Sequence, residues 1–571
     1  MELPKPPQKN FWLIVLVILL VALAFRLSLA RFLPNDDPDD GRIYAQIAVD
    51  LLDHTTFSQE DVAPFTPTLI RVPGYPIYLA IVYSIGGHGE NGAVRYAQAL
   101  MDTITCALVG LLAWLWMPDK RLRWRAALVA TAVAAVCPFT AIYVATILTE
   151  TLTTFLMVAL ALTATLALQR TVTRRAILWW VASGSIAGTG VMVRPDAGLF
   201  AAAAGFALVL IGLFSHAGGA TSFSARFVRV VTLGAVYSAA FVLILVPWTI
   251  RNKAVFGVFQ PLAPAHAEMP GEFVSYGYFR WLRTWVDGEK YIEPVIWSLD
   301  DKPIMVDQLP AKAFDSPEEK ARVAALLDRY NHPVPGATNE APPVPKSGPT
   351  QTLPMPGTGP AAPPKPNTGN ANSGAGQAND DADSDQDDGG DGGDADDSAD
   401  TGDDGDVVAT VEMTPEIDAG FAQLAQERIN RSPIRYYVWM PVKRLFALWF
   451  GTHSQYYPFA GELFPWSELD RQAHQQIWLP LFALIVTLYT IIAKLGGFVL
   501  LFWKREGRKW ALLLMLMVLP RFIFFSTIEN PEPRYVVEVF ALCSVLAGIA
   551  GAYLWRAKEP IAVEPSNNST S

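Results

Sequence analysis

Ten apolar stretches of roughly membrane-spanning length, separated by polar loops, dominate the chain. The first runs from Phe11 to Ala30; the others lie at about 93–117, 126–147, 150–169, 176–193, 197–214, 228–249, 477–503, 509–527 and 535–555. Each predicts a transmembrane helix, so the fold class read from the pattern is all-α and integral to a membrane. Phe11–Ala30 follows a short leader carrying Lys5 and Lys9 and has no small-residue cleavage site, which makes it an uncleaved first span. With the N-terminus in the cytoplasm, ten spans return the C-terminus there. Basic residues test this count. They fall in the loops that alternate to the inner side: Lys120, Arg121, Arg123 and Arg125; Arg170, Arg174 and Arg175; Arg226 and Arg229; Lys504, Arg505, Arg508 and Lys509; Arg556 and Lys558. Tyr436–Phe450 is apolar as well, but Lys443 and Arg444 sit in its middle and its insertion would invert the later loops. It is expected to lie flat on the outer surface, with Trp439, Phe446, Trp449 and Phe450 toward lipid.

The domain organisation follows. Residues 1–30 are a cytoplasmic leader and first span, 31–92 a first outer loop, 93–249 a membrane bundle, and 250–338 an outer region. Residues 339–412 form a Pro/Asp/Gly-rich insert, 413–476 a second outer region with the interfacial helix, 477–556 the last three spans, and 557–571 a cytoplasmic tail. The insert has almost no aliphatic residues and is expected to be disordered. Its acidic run from Asp381 to Gly389 lacks the glycine and glutamate spacing of an EF-hand, so it reads as a solvated spacer.

Composition agrees with a polytopic membrane protein: of 571 residues 51% are hydrophobic and 17% charged. The 14 aspartates between Asp380 and Asp406 outweigh the whole net charge of −10, so neither nucleic acid nor an acidic substrate is implied. Cys106, Cys137 and Cys543 fall within apolar runs with no metal-ligand or disulfide spacing.

Candidate chemistry collects at the outer ends of the spans. Arg71, Arg194, Arg251 and Arg534 run against the inner-loop bias, and their guanidinium forks suit a phosphate at headgroup level. The plainer reading is snorkelling, or pairing with a local acid such as Asp196 or Glu532. Asp40, with Asp39 beside it, follows the first span, and Glu150 lies at the turn between the third and fourth. A positioned carboxylate can take the proton of a sugar-accepting hydroxyl as the new bond forms. The departing phosphate needs positive charge, from the arginines or from a divalent cation. His266, near Glu268 and Glu272, matches no standard ligand spacing and reads as a loop histidine, as do His54 and His88.

Six segments together resemble the polytopic GT-C glycosyltransferases, most closely family 39, which includes protein O-mannosyltransferases and aminoarabinose transferases acting on lipid A. They are Asp40-Gly41-Arg42-Ile43-Tyr44, Arg71-Val72-Pro73-Gly74-Tyr75-Pro76, Leu148-Thr149-Glu150, Arg194-Pro195-Asp196, Pro247-Trp248 with Arg251-Asn252, and Pro533-Arg534-Tyr535. The resemblance implies a GT-C bundle, a polyprenyl-phosphate sugar donor, an outer acceptor hydroxyl and inversion at the anomeric carbon. It places the catalytic aspartate on Asp40, with Asp39 as fallback, and gives Glu150 a role in orienting the acceptor or binding a metal. Tyr44 is expected to pack. The acceptor is a lipid, a glycan or a protein, and the insert departs from the family where acceptor identity is decided. The general form of the sequence favours a bacterial inner membrane with the site facing outward. A lipid-linked sugar flippase and an O-antigen-type ligase are the alternatives. The first would place its polar groups near the midplane, whereas the candidates here crowd one face, with Arg521 in the ninth span as the exception; the second would place them in a late outer loop. A non-catalytic scaffold using the acidic insert would be insensitive to loss of Asp40.

Overall fold

In hydrocarbon an apolar run leaves its backbone N–H and C=O groups no partners but each other, and helices result. The computed structural model describes residues 10–33, 39–169, 174–214, 222–333, 411–452, 454, 473–503 and 505–557, among which no strand occurs. The first part of the chain forms α1 (Phe11–Phe32), α2 (Asp39–Asp53), α3 (Gly74–Gly86), α4 (Asn91–Trp116), α5 (Arg123–Ala135) and α6 (Pro138–Ala141). Four further bundle helices follow: α7 (Glu150–Leu168), α8 (Arg174–Val193), α9 (Gly198–Phe214) and α10 (Phe223–Phe256). An outer subdomain contains α11 (Tyr276–Leu282), α12 (Pro317–Asn331) and α13 (Pro415–Arg431); α14 (Met440–Phe450) leads from it to α15 (Ala473–Phe498), α16 (Arg508–Thr527) and α17 (Val539–Ala557).

Eight described helices are long and apolar enough to cross a membrane. The expected third span is not continuous: Arg123–Ala135 and Pro138–Ala145 meet at 49°. Pro138 has no N–H to offer the Ala134 carbonyl. The Cys137 N–H and a guanidinium take its place: Cys137 N donates to Ala134 O at 3.2 Å, and Arg26 Nη2 donates to Ala134 O at 3.1 Å and Nη1 to Ala135 O at 2.8 Å. Asp102 fixes Arg26 through a 2.7 Å ion pair, with both side chains buried. The tenth expected span is a shorter apolar helix, Val539–Trp555.

One core joins side chains from α4, α5, α7, α8, α9, α16 and α17, whereas α1 turns most of its surface outward. Close approach of α8 to α10 depends on Gly188, where a Cβ would stand 2.8 Å from the Phe241 carbonyl. Outside the bundle, Tyr278, Trp281, Trp285, Tyr330 and Phe421 build a second core. Ser316 and Thr414 cap α12 and α13, each followed by proline at the first helical position, and their side chains accept from the backbone of Glu319 and Ile417. Arg428 ties α13 to α12 and the segment before it through Glu319, Asp315 and the Ala313 carbonyl.

The outer subdomain is clamped to the bundle. Arg283 Nε meets Glu529 at 2.6 Å, and buried Arg444 donates to the carbonyls of Val286, Arg283 and Ser526. The segment before and through α14 exposes Trp439 and Phe446, in keeping with an interfacial helix. Trp449 is a correction: it turns inward, stacks on Phe540 at 4.5 Å and donates to Thr490 Oγ1 at 2.7 Å. Phe450, also expected toward lipid, is partly buried against an inner cluster. Of the insert expected at 339–412, all but residues 411 and 412 lies outside the described residues.

Candidate active site

Asp40 stands in the first turn of α2, directly beyond the first span. A later loop returns Arg71 to it, and the turn before α17 brings Arg534. Arg71 Nη2 donates to Asp40 Oδ1 at 2.9 Å, and Arg534 Nη1 donates to Oδ2 at 3.1 Å. Both oxygens of one carboxylate are therefore held by guanidiniums from sequence-distant segments. Burial pushes the Asp40 carboxyl up, but Arg534 and Arg71 outweigh it and hold the group below the usual carboxylate range. Arg534 Nε also donates to Glu532 Oε2 at 2.7 Å. Glu532 is fully buried, and that burial raises its carboxyl despite Arg534, with Glu150 and Asp40 adding negative charge nearby. Tyr44, one turn along α2, packs edge-on against Tyr75 at 5.1 Å and lies beside Arg71. Burial lifts its hydroxyl to about 12, in keeping with a packing role.

A second cluster adjoins the first. Glu150 opens α7, where the helix N-terminus favours a carboxylate. Its Oε1 accepts from Arg194 Nη1 at 3.0 Å, and its Oε2 is buried with no hydrogen-bond partner. Arg194 also meets Asp196 at 3.0 Å and Glu538 at 3.6 Å. Arg521, buried within α16, completes the set with Asp196 at 2.8 Å and Glu538 at 3.1 Å. Tyr535 links the clusters, its ring lying 5.3 Å from the Arg194 guanidinium and 5.5 Å from that of Arg534.

Gly74 sets the register of this assembly. A Cβ there would stand 2.5 Å from the Met192 carbonyl and 2.8 Å from Val193 N, so only glycine lets α3 begin against the end of α8. That contact brings the Arg71 loop beside Arg194. Arg251 has other partners: it donates to the Thr68 carbonyl at 2.7 Å and sits among the rings of Phe57, Trp248 and Phe256. It pins the loop that carries Arg71. Asp39 opens α2, but its side chain is outside the described residues.

His266 is more than a free loop residue. It stacks on Phe279 at 4.9 Å, with its Nε2 3.5 Å from Glu529, while Glu268 and Glu272 accept from the backbone of their own turn. His54 stacks on Phe65, and His88 pairs with Asp53. Among the described residues no three His, Cys, Asp or Glu side chains converge as a metal requires. Asp40, Glu150 and Glu532 each face an arginine. A groove of about 1060 Å³ opens beside Leu69, lined by Val258, Met269, Phe273 and Tyr276 with Glu268 and Glu272.

Of the residues the sequence marks as candidates, the fold collects Asp40, Glu150, Arg71, Arg194 and Arg534 into these two clusters. Asp196 and Glu532 read from sequence only as local partners of arginines, and Glu538 carries no sequence motif. The signal available was the intramembrane Arg521, whose charge required buried acids close by.

The matched segment contains Arg71, Glu150 and Arg194 and ends just before Arg251. Residues 70–250 match the dolichyl-phosphate-mannose-protein mannosyltransferase family. This agrees with the GT-C, family 39 resemblance of the motifs. No curated protein sequence matches the chain significantly. Among solved structures, the archaeal oligosaccharyltransferase AglB from Archaeoglobus fulgidus, in complex with an inhibitory peptide and a dolichol-phosphate, is similar at 12% identity and TM-score 0.44. That match covers 98% of this chain and 53% of AglB. ArnT from Cupriavidus metallidurans, bound to undecaprenyl phosphate, is similar at 13% identity and TM-score 0.35, covering 96% of this chain and 79% of ArnT. The chain thus spans about half the length of AglB.

Proposed function

We propose that the protein is a membrane glycosyltransferase that moves a sugar from a polyprenyl-phosphate donor to an acceptor hydroxyl, with Asp40 as general base. The observation that carries this reading is Asp40 itself, a carboxylate at the end of the membrane bundle gripped on both oxygens by Arg71 and Arg534. Such a site offers a base and a phosphate-binding fork within one contact distance. The family match over residues 70–250 supports the same chemistry.

In the reaction, the acceptor oxygen bonds to the anomeric carbon from the face opposite the phosphate. The bond from that carbon to the phosphate oxygen breaks, and its electron pair leaves with the lipid phosphate. The hydroxyl proton passes to Asp40 as the new bond forms. Arg71 and Arg534 balance the charge that grows on the leaving phosphate. Glu150, paired with Arg194, orients the acceptor. Arg251 acts through the loop it pins, and Asp39 is the fallback base. A lipid, a glycan and a protein all qualify as acceptor.

The loop charges support an orientation with both termini in the cytoplasm and the site on the outer side, and the general form of the sequence favours a bacterial inner membrane. Residues 1–30, 93–249 and 477–556 then form the membrane body, 31–92 carries the base, and 250–338 with 413–476 forms the outer subdomain. In sequence the 339–412 insert separates the two outer regions, and 557–571 is the cytoplasmic tail.

The test is transfer of radiolabelled sugar from a panel of polyprenyl-phosphate donors into membrane extract, comparing wild type with Asp40→Asn at equal expression. Labelling is expected to fall at least about 100-fold in the variant, the scale of a lost general base. Equal labelling would reject Asp40 as the base, and no labelling by either protein with any donor would reject the reading.

A further inference from the structure

Four guanidiniums, Arg71, Arg194, Arg521 and Arg534, face five carboxylates, Asp40, Glu150, Asp196, Glu532 and Glu538, in the paired clusters. Negative charge already matches or exceeds positive charge, so an incoming phosphate competes with a carboxylate for its guanidinium. The arrangement shows which carboxylate that is. Arg194 and Arg521 are enclosed by acids that are themselves 13% exposed or less. The Asp40 side chain is 30% exposed and that of Arg71 20%, so this pair is the open edge of the network.

We infer that the Asp40 carboxylate occupies the donor-phosphate position between Arg71 and Arg534 when no donor is bound, and that phosphate and Asp40 compete for the same two guanidiniums. The inference rests on the transferase reading and adds a coupling between binding and chemistry. A phosphodiester that draws Arg71 and Arg534 to itself removes the two hydrogen bonds that make Asp40 a poor proton acceptor, so the base is released only beside a bound donor.

Transfer then reinforces the exchange. When Asp40 takes the hydroxyl proton it becomes neutral and loses its claim on the arginines. The leaving phosphate changes at the same moment from a diester with one charge to a monoester with up to two. Loss of that proton to water restores the carboxylate, which recovers Arg71 and Arg534 and displaces the lipid phosphate. Glu532 keeps hold of Arg534 Nε throughout, so Nη1 alone swings between the two anions. Glu532 is in this sense a positioning residue.

Equilibrium binding tests the competition without catalysis. Undecaprenyl monophosphate in detergent micelles would be titrated into wild type, Asp40→Asn and Arg71→Gln, with size-exclusion profiles and thermal unfolding used to verify that each is folded. Asp40→Asn is nearly isosteric but is not an anion, and it is expected to bind the lipid phosphate at least about tenfold more tightly than wild type. That is the scale of one charge-assisted hydrogen bond no longer lost on binding. Arg71→Gln is expected to bind more weakly. Equal or weaker binding by Asp40→Asn, with wild type binding normally, would overturn the competition and leave the transferase reading standing. Absence of binding by every folded variant would overturn both. Undecaprenol, which has the chain but no phosphate, separates the sources of affinity: a matching gain for it in Asp40→Asn would assign the effect to lipid packing and refute the inference.

Discussion

Replacing Arg521 by methionine tests whether the buried network holds the bundle together. The Arg521 side chain is fully buried in α16. It donates to the Tyr535 carbonyl at 2.7 Å and to the two Glu538 oxygens at 3.1 and 3.2 Å, and it meets Asp196 at 2.8 Å. Charge-assisted hydrogen bonds of about 1.5–3 kcal/mol each would sum well beyond 5 kcal/mol. The loss is smaller, because Glu538 can accept a proton and Arg194 stays 3.6 Å from it. Removing one partner of a buried pair typically costs about 3–5 kcal/mol, and that is the expected destabilisation. Arg322 is the control. It is similarly bidentate to Glu427, at 2.6 and 3.0 Å, but the two side chains are 45% and 37% exposed, so Arg322→Met should cost less than about 1 kcal/mol.

Cys106, Cys137 and Cys543 are buried in the bundle, so reaction with a thiol-reactive fluorophore on heating reports bundle unfolding directly. Arg521→Met should lower the transition markedly and Arg322→Met should leave it in place. Adding Glu538→Leu to Arg521→Met should restore part of the loss, because the uncompensated acid is then gone. An Arg521→Met transition equal to wild type, or a double variant less stable than the single one, would refute the argument.

Gly74→Ala should push the start of α3 off Met192 and Val193, at a cost of about 1–3 kcal/mol for overpacking against backbone. Sugar transfer should fall by more than stability does, because the shift carries Arg71 with it; activity at wild-type level would refute this placement. Glu529 governs acid sensitivity of the outer subdomain. Burial raises its carboxyl, but His266 and Arg283 outweigh that and bring it to about 2 from an ordinary 4.5. A depressed carboxyl contributes stability that is complete above about 4.5 and lost as pH falls toward about 2. Limited proteolysis of the 257–333 region should therefore accelerate across that window in wild type, and a Glu529→Gln variant showing the same acid-dependent step would count against the assignment.

Apolar run length and loop charge determined a great deal by themselves. They determine the order of the membrane helices, because hydrocarbon leaves the backbone few other ways to satisfy its hydrogen bonds. Alternation of the spans also put Asp40, Arg71, Glu150, Arg194 and Arg534 at one end, whatever the packing. Tertiary structure alone decided which of them touch. Nothing local distinguishes Arg251, which pins a loop among three aromatic rings, from Arg71, which holds Asp40. Breaking of the third span needed both a proline and an arginine from α1 to satisfy the freed carbonyls. Trp449 reads as a lipid-facing aromatic until Phe540 and Thr490, from other helices, supply a stacking face and an acceptor. Helix formation depends on neighbours within a few residues, whereas a buried charge is settled by partners hundreds of residues away, and Asp40 with Arg534 is such a pair.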